Sequence, residues 1–251
     1  MLPEIDLGPI TLQTFGLCFA LAFLASGWLV WRRLGELGKP VDWAYEMGFS
    51  ALLGGLIGGR LDFVLQNYDE VSDDLLGNIF TGTGLVWFGG LAGGAIAVCI
   101  WASYRGFLGT ALLDLCAPAL ALGQAIGRIG CQLSGDGDYG KAWDGPWAMS
   151  YPDGTVPTTD EVHPTPIYET LALAAIAYVL WRLRDRLTGG LLLALYLVLA
   201  GTERLLVEFI RRNEDVALGL TQAQLISVGM ILAGGFWLLL GLRRGARPAT
   251  A

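Results

Sequence analysis

The stretch Gly123–Tyr139, GQAIGRIGCQLSGDGDY, is the point from which the chain is best read. An apolar run, Ala111–Ile126, leads into Arg128, and a segment rich in glycine and aspartate leads away from it. Such a run reads as a membrane helix. A guanidinium at its end is an expensive placement, because a charge in hydrocarbon must reach water or a counter-charge. A lone arginine there reads equally well as a membrane-edge residue that snorkels to the surface. Two further arginines at the same depth on other helices weigh against that reading.

Composition sets the class. The chain has 251 residues, 54% hydrophobic and 16% charged, against about a quarter charged in soluble domains. Its mean hydropathy is +0.53. The expectation is an all-α polytopic membrane protein, with residues 1–251 as one integral membrane domain. A net charge of −7 argues against a nucleic-acid partner. Cys18, Cys99 and Cys116 lie in apolar runs without CxxC spacing. They read as small core residues, not as a disulfide frame or zinc site. The first apolar run follows an acidic leader, MLPEID, and precedes a basic WRR. That order reverses a signal peptide, so the run is expected to be a mature spanning helix.

Seven stretches approach the ~20 residues needed to cross a bilayer: Leu12–Trp31, Trp43–Leu65, Gly84–Ala102, Ala111–Ile126, Pro166–Trp181, Leu191–Phe209 and Leu225–Leu242. Between the fourth and fifth lies the one long connection, Ile129–His163. Its Tyr139, Trp143, Trp147 and Tyr151 mark an ordered extramembrane loop, because polar linkers rarely carry such rings. Lys and Arg give the orientation. Arg32, Arg33, Lys39, Arg105, Arg182, Arg184, Arg186, Arg243, Arg244 and Arg247 all fall on one side of this seven-helix arrangement. The acidic N-terminus, the acidic loop Asp69–Asp74 and the long loop with Asp136, Asp138 and Asp144 fall on the other. The N-terminus is therefore expected outside and the C-terminus inside, with loop 129–163 extracytoplasmic.

The remaining cations are Arg60, Arg128, Lys141, Arg204, Arg211 and Arg212. The second, fourth and sixth helices run from inside to outside, and Arg60, Arg128 and Arg204 lie late in them. Positive charge at the outer membrane level should meet something anionic. Internal partners are Asp62, Glu169, Glu203 and Glu208, the last at i+4 from Arg204 on the same helix face. A buried network that merely fixes helix packing accounts for this pattern, although such networks are costly. A site for the anionic headgroup of an outer-leaflet lipid accounts for it too, since the planar guanidinium fork matches phosphate. Gly54, Gly55, Gly58 and Gly59 precede Arg60, and Gly89, Gly90, Gly93 and Gly94 repeat the spacing in the third helix, a pattern for close helix packing. Gly127 and Gly130 bracket Arg128 and are expected to let the backbone turn sharply there.

A second polar stretch is HPTPIYE, His163–Glu169. Its prolines suit a first helical turn, which places Tyr168 and Glu169 one turn inside the fifth helix. Glu169 then needs an arginine partner. His163 is the only histidine, and its titration range suits a base, although a lone histidine at a helix start is more often structural. DGDYG lacks the further oxygen ligands of a calcium loop, so neither metal nor cofactor is expected.

On these residues the chain resembles the prolipoprotein diacylglyceryl transferase family over nearly its full length. The matching pieces are GLIGGRLDFVL around Arg60, FGGLAGG at Phe88–Gly94, GRIG at Gly127–Gly130, HPTPIYE at His163–Glu169 and RLLVEFIRR at Arg204–Arg212. The resemblance implies an enzyme of the bacterial cytoplasmic (inner) membrane. It would transfer a diacylglyceryl group from phosphatidylglycerol to the lipobox cysteine thiol in the signal peptide of a prolipoprotein, forming a thioether as glycerol phosphate leaves. It carries the family's essential arginines onto Arg128 and Arg204 and its glutamate onto Glu208. The chain departs from the family pattern at Phe15, Phe88, Cys131, Asp136 and Pro166, where the family has tyrosine, histidine, asparagine, glutamate and glutamine. The resulting expectation assigns catalysis to Arg128, Arg204, Glu208 and His163. Arg60, Asp136, Tyr168, Glu169, Gly127 and Gly130 are assigned to substrate binding. For the thiol proton, His163, Asp136 and the phosphate itself stay open. A related phospholipid-dependent transferase with a different acceptor, or a lipid-binding protein without turnover, stays open as well.

Overall fold

The computed structural model describes residues 1–6, 8–9, 11–68, 86–217 and 219–243. The acidic loop Asp69–Asp74, the expected start of the third span at Gly84, and Arg244 and Arg247 lie outside the described residues. Within them the apolar runs form seven helices: α1 (Thr14–Glu36), α2 (Trp43–Gln66), α3 (Trp87–Tyr104), α4 (Thr110–Ser134), α5 (Thr165–Leu183), α6 (Leu191–Glu208) and α7 (Gln222–Arg243). Five of these, α1, α2, α4, α5 and α7, are long and apolar enough to cross a membrane. The apolar part of α3 is shorter, Phe88–Tyr104. α6 carries Glu203, Arg204 and Glu208 within its 18 residues.

The structure moves the end of α4 and adds short strands to the helices expected. First, α4 does not end at Arg128. It continues through Gly127–Gly130 to Ser134, and the turn falls at Gly135 and Gly137, both at positive φ. The glycine at 130 serves packing: a Cβ there would stand 2.9 Å from the Cβ of Cys18. Gly127 has open space around it. Second, three short antiparallel hairpins accompany the helices: β1 (Glu4–Asp6) with β2 (Thr11–Gln13) before α1, β3 (Met149–Tyr151) with β4 (Thr158–Val162) between α4 and α5, and β5 (Asp215–Ala217) with β6 (Leu220–Thr221) between α6 and α7. Strands of two to five residues are too short to leave a clear alternation in the sequence.

The chain divides into two compact units. In the unit Trp31–Leu112, α2 packs on α3 through the two glycine rows. A Cβ at Gly58 would stand 2.2 Å from the Gly89 carbonyl oxygen, and one at Gly93 would stand 2.2 Å from the Gly54 carbonyl oxygen. Only glycine permits that approach. At one end of the pair, Asp62 accepts the Gly89 N–H at 2.9 Å and the Gln66 amide at 3.0 Å. Arg60 is buried, with its guanidinium 4.8 Å from the Phe63 ring centroid. At the other end, Glu46 accepts the Trp101 indole N–H and the Arg105 Nε–H, both at 2.8 Å.

In the unit formed by Met1–Val30 and Leu113–Ala251, the core lies between α4, α5 and α6. Ala117, Ala121 and Ala125 of α4 meet Leu173, Ile176 and Leu180 of α5 and Leu192, Tyr196 and Ala200 of α6. Small residues on α4 let the other two helices pack close. Asp114 caps α6, accepting the N–H groups of Gly190 at 2.9 Å and Leu192 at 3.0 Å. Gly234 of α7 seats against the Ala194 carbonyl. The loop after α4 begins past Ser134, not at Ile129, and in it Tyr139, Tyr151 and Val162 form a small core of their own, with the two tyrosine rings stacked at 4.8 Å.

Candidate functional site

Three elements of the second unit bring charge to one place. Arg128 comes from α4, two turns before its end, Glu169 from the first turns of α5, and Arg204 and Glu208 from successive turns of α6. The loop after α4 adds Asp138, and the segment just past α6 adds Arg211. Short backbone bonds hold these last two in register. Gly140 pairs with Arg211, and the Lys141 N–H donates to the Ile210 carbonyl at 2.7 Å. The Gly140 N–H donates to the His163 carbonyl at 2.8 Å. The Thr165 hydroxyl donates to the Asp138 carbonyl at 2.5 Å, tying that loop to the start of α5.

Glu169 is the hub. Its Oε1 accepts from Arg204 at 2.7 Å and lies 3.3 Å from Arg128 Nη2, while its Oε2 accepts from Arg211 at 3.4 Å. Glu208 Oε2 pairs with Arg204 Nη2 at 3.1 Å and lies 3.9 Å from Arg211 Nε. Its Oε1 accepts from Asn213 at 2.6 Å and from the Thr221 hydroxyl at 2.8 Å. Asp138 bonds both Arg128 and Arg211. Three guanidiniums thus face three carboxylates, and the cluster is neutral. A buried set of this kind is tolerated only when its members are mutually paired.

The carboxylates differ in access. The side chains of Glu169 and Glu208 are 1% and 0% exposed, against 30% for Asp138. Burial raises the Asp138 carboxyl, but the Arg128 and Arg211 guanidiniums beside it more than offset this and hold it below the usual carboxylate range. It is ionised near neutral pH and bridges two guanidiniums in the way a phosphate oxygen pair would. The site can therefore take an anion where Asp138 now sits, with Glu169 and Glu208 keeping the arginines aimed.

The sequence-predicted residues fall into two sets. Arg128, Arg204, Glu169 and Glu208 come together. Arg60 belongs to the other unit. His163 stacks flat on Trp143, with centroids 4.4 Å apart, and its Nδ1 is 3.4 Å from the Tyr168 hydroxyl, which in turn accepts the Trp147 indole N–H at 2.7 Å. His163 and Tyr168 thus belong to an aromatic group, and among the described residues no bond joins them to the arginines. Asp136 accepts the Asp138 N–H at 3.3 Å, so it shapes the loop that carries Asp138. Glu203, beside Arg204, has a buried Oε1 with no hydrogen-bond partner among the described residues.

Arg211 and Asp138 are the members that sequence reasoning missed. Both lie just outside apolar runs, where a charge carries no signal. Arg211 does stand in the RLLVEFIRR piece, three residues from Glu208, and that spacing was the available clue. Cys131, Asp136 and Asp138 place ligand atoms within 4.8 Å of one another. Asp138 is engaged by two guanidiniums, and Cys131 Sγ lies 3.8 Å from Arg128 Nη1, so a cation there competes with resident positive charge.

The family model for prolipoprotein diacylglyceryl transferase matches residues 4–240. Relatives that bear the name phosphatidylglycerol–prolipoprotein diacylglyceryl transferase include that of Clostridium tetani, 30% identical over 92% of this chain and 94% of its own. That of Dehalococcoides mccartyi is 34% identical over 90% and 87%, and that of Chromohalobacter salexigens 34% over 92% and 91%.

Proposed function

The chain belongs to the prolipoprotein diacylglyceryl transferase family, and from that premise we propose that it transfers a diacylglyceryl group from phosphatidylglycerol to the lipobox cysteine thiol of a prolipoprotein, releasing glycerol phosphate. The observation that carries this reading is the meeting of Arg128, Arg204 and Arg211 around Glu169 in an apolar helical unit. The chain works as a multi-pass protein of the bacterial cytoplasmic membrane, with seven spans, its N-terminus outside and its C-terminus inside. The loop after α4 lies on the outer face, where lipid headgroup and signal peptide meet it.

The phosphate of phosphatidylglycerol takes the place of the Asp138 carboxylate on Arg128 and Arg211. Glu169 and Glu208 are too buried to be displaced and hold the guanidinium planes. The acceptor sulfur attacks the glyceryl C3 carbon, the C–O bond to phosphate breaks, and the electron pair moves onto the departing phosphate oxygen. Negative charge grows there, and preorganised guanidiniums stabilise that growth most where water is excluded. His163 and Tyr168, on the aromatic face of the loop, contact the incoming peptide.

The test is incubation of the purified chain with labelled phosphatidylglycerol and a lipobox-cysteine peptide. Label on the peptide with release of glycerol phosphate is the expected result. Lipid consumption without peptide modification points to another acceptor, in keeping with Phe15, Phe88 and Cys131 at positions that are polar in the family. Lipid binding without turnover points to a binding protein.

A further inference from the structure

The transfer leaves one proton unassigned. The acceptor enters as a thiol and ends as a thioether, so its hydrogen must move to a base. The carboxylates of the arginine cluster are occupied. Asp138 accepts from Arg128 and Arg211, Glu169 from Arg204 and Arg211, and Glu208 from Asn213 and Thr221. Asp136 accepts a backbone N–H, and His163 lies against Trp143.

Glu208 Oε2 also lacks a hydrogen bond among the described residues, but it lies 3.1 Å from Arg204 Nη2 and is paired by charge. Glu203 Oε1 is buried and has neither kind of partner there, yet the residue is only half-buried as a whole. It follows Tyr196 by two turns and Ala200 by one on α6, both of which are buried in the core against α4 and α5. Its side chain therefore continues the inward face of α6 to the level of Arg204. Arg204 follows it directly in the chain and pairs with Glu169 at 2.7 Å and Glu208 at 3.1 Å. A carboxylate oxygen left without a donor in an apolar unit is costly. Its unused lone pair can take a proton once substrate entry gives the thiol access to it.

We propose, resting on the transferase reading above, that Glu203 is the catalytic base of this chain. As the S–C3 bond forms and the C3–O bond breaks, the thiol proton passes to Glu203 Oε1. It then moves to the departing glycerol phosphate, which leaves with one more ionisable oxygen than it had as a diester. The carboxylate is thereby regenerated, and no further reactant is needed.

The experiment uses the full chain in phosphatidylglycerol vesicles with a cysteine peptide, comparing wild type, Glu203→Gln and Glu203→Asp. Transfer rate is measured from pH 6.5 to 9.5, beside lipid binding and thermal stability. Loss of a general base costs about a hundredfold or more, so Glu203→Gln is expected to fall by that factor near pH 7 with lipid binding unchanged. The deficit is expected to shrink as pH passes the thiol's own value of about 8.5, where solvent ionises the thiol. Glu203→Asp is expected to recover part of the rate. A Glu203→Gln rate within threefold of wild type at pH 7 overturns the assignment. So does a deficit that stays constant across the pH range or comes with lost lipid binding, the signs of a structural role. A wild-type chain that transfers nothing to the peptide overturns the transferase reading itself, a result distinct from an active wild type matched by an equally active Glu203→Gln.

Discussion

In the unit Trp31–Leu112, α2 and α3 meet at Gly54, Gly58, Gly89 and Gly93, carbonyl against Cα. In the other unit, α4, α5 and α6 meet through Arg128, Glu169, Arg204 and Glu208. The first contact is steric and permanent, because nothing can be inserted between backbones at that distance. The second is assembled from partners that can be exchanged. An ion pair gives up its carboxylate when another anion offers the same geometry, and one of these carboxylates, Asp138, is accessible. A close-packed glycine seam builds a scaffold, whereas a neutral cluster of paired charges is, on the function proposed, where the substrate anion is held.

The contrast is broken most severely at Glu169. Glu169→Gln removes the shared charge beneath three guanidiniums and is expected to destabilise the protein by about 3–5 kcal/mol, the usual cost of stranding buried charge. Thermal unfolding in detergent measures it, and an unchanged midpoint would mean that the arginines find water instead.

Next in size is the glycine seam. Gly58→Ala forces a Cβ toward the Gly89 oxygen, and the helices must part. Overpacking of this kind costs about 1–3 kcal/mol. Thermal stability is expected to fall while the affinity for phosphatidylglycerol, measured in the same detergent, holds.

A smaller and pH-dependent effect belongs to Asp138. Its folded-state value lies below the unfolded one, which is about 3.9 for aspartate. Its stabilisation is therefore complete above about pH 4 and is lost as pH falls through the folded value. Wild type should lose stability on acidification below about pH 4 more steeply than Asp138→Asn does. If the phosphate takes the place of Asp138, the Asn variant should also bind phosphatidylglycerol several-fold more tightly at neutral pH. Weaker binding by Asp138→Asn would place the phosphate elsewhere.

The smallest effect is expected at Gly127. A Cβ there meets nothing within 4 Å, and alanine is favoured over glycine inside a helix by about 1 kcal/mol. Gly127→Ala should be neutral or slightly stabilising to heat. A marked loss of stability would mean that α4 does turn at this point.

The helices and the core of the charged site were legible because an apolar background makes charge conspicuous. Arg128, Glu169, Arg204 and Glu208 each interrupt a membrane run, and their depth could be counted from the run's end. Asp138 and Arg211 were not legible. They lie in polar stretches, and they meet only because Gly140 pairs with Arg211 and Thr165 holds the Asp138 carbonyl, contacts that no local pattern announces. The turn expected at Gly127 and Gly130 failed for a related reason. A glycine permits both a turn and a close approach, and at Gly130 the neighbour that decides between them, Cys18, is distant in sequence. The hairpins escaped because their strands are shorter than the periodicity that would reveal them.

The central claim is that the arginine cluster is a phosphate fork and not a packing device, and Arg128→Lys tests it most directly. Lysine keeps the charge and can still reach Asp138 or water, so a packing or snorkelling role tolerates the change. A phosphate fork does not, because a point charge replaces aligned donors. Turnover of labelled phosphatidylglycerol and thermal stability are to be measured on the same preparation. The account predicts that turnover falls about a hundredfold or more, ~3 kcal/mol of barrier, while the unfolding midpoint moves little. Near-normal turnover in Arg128→Lys would contradict it.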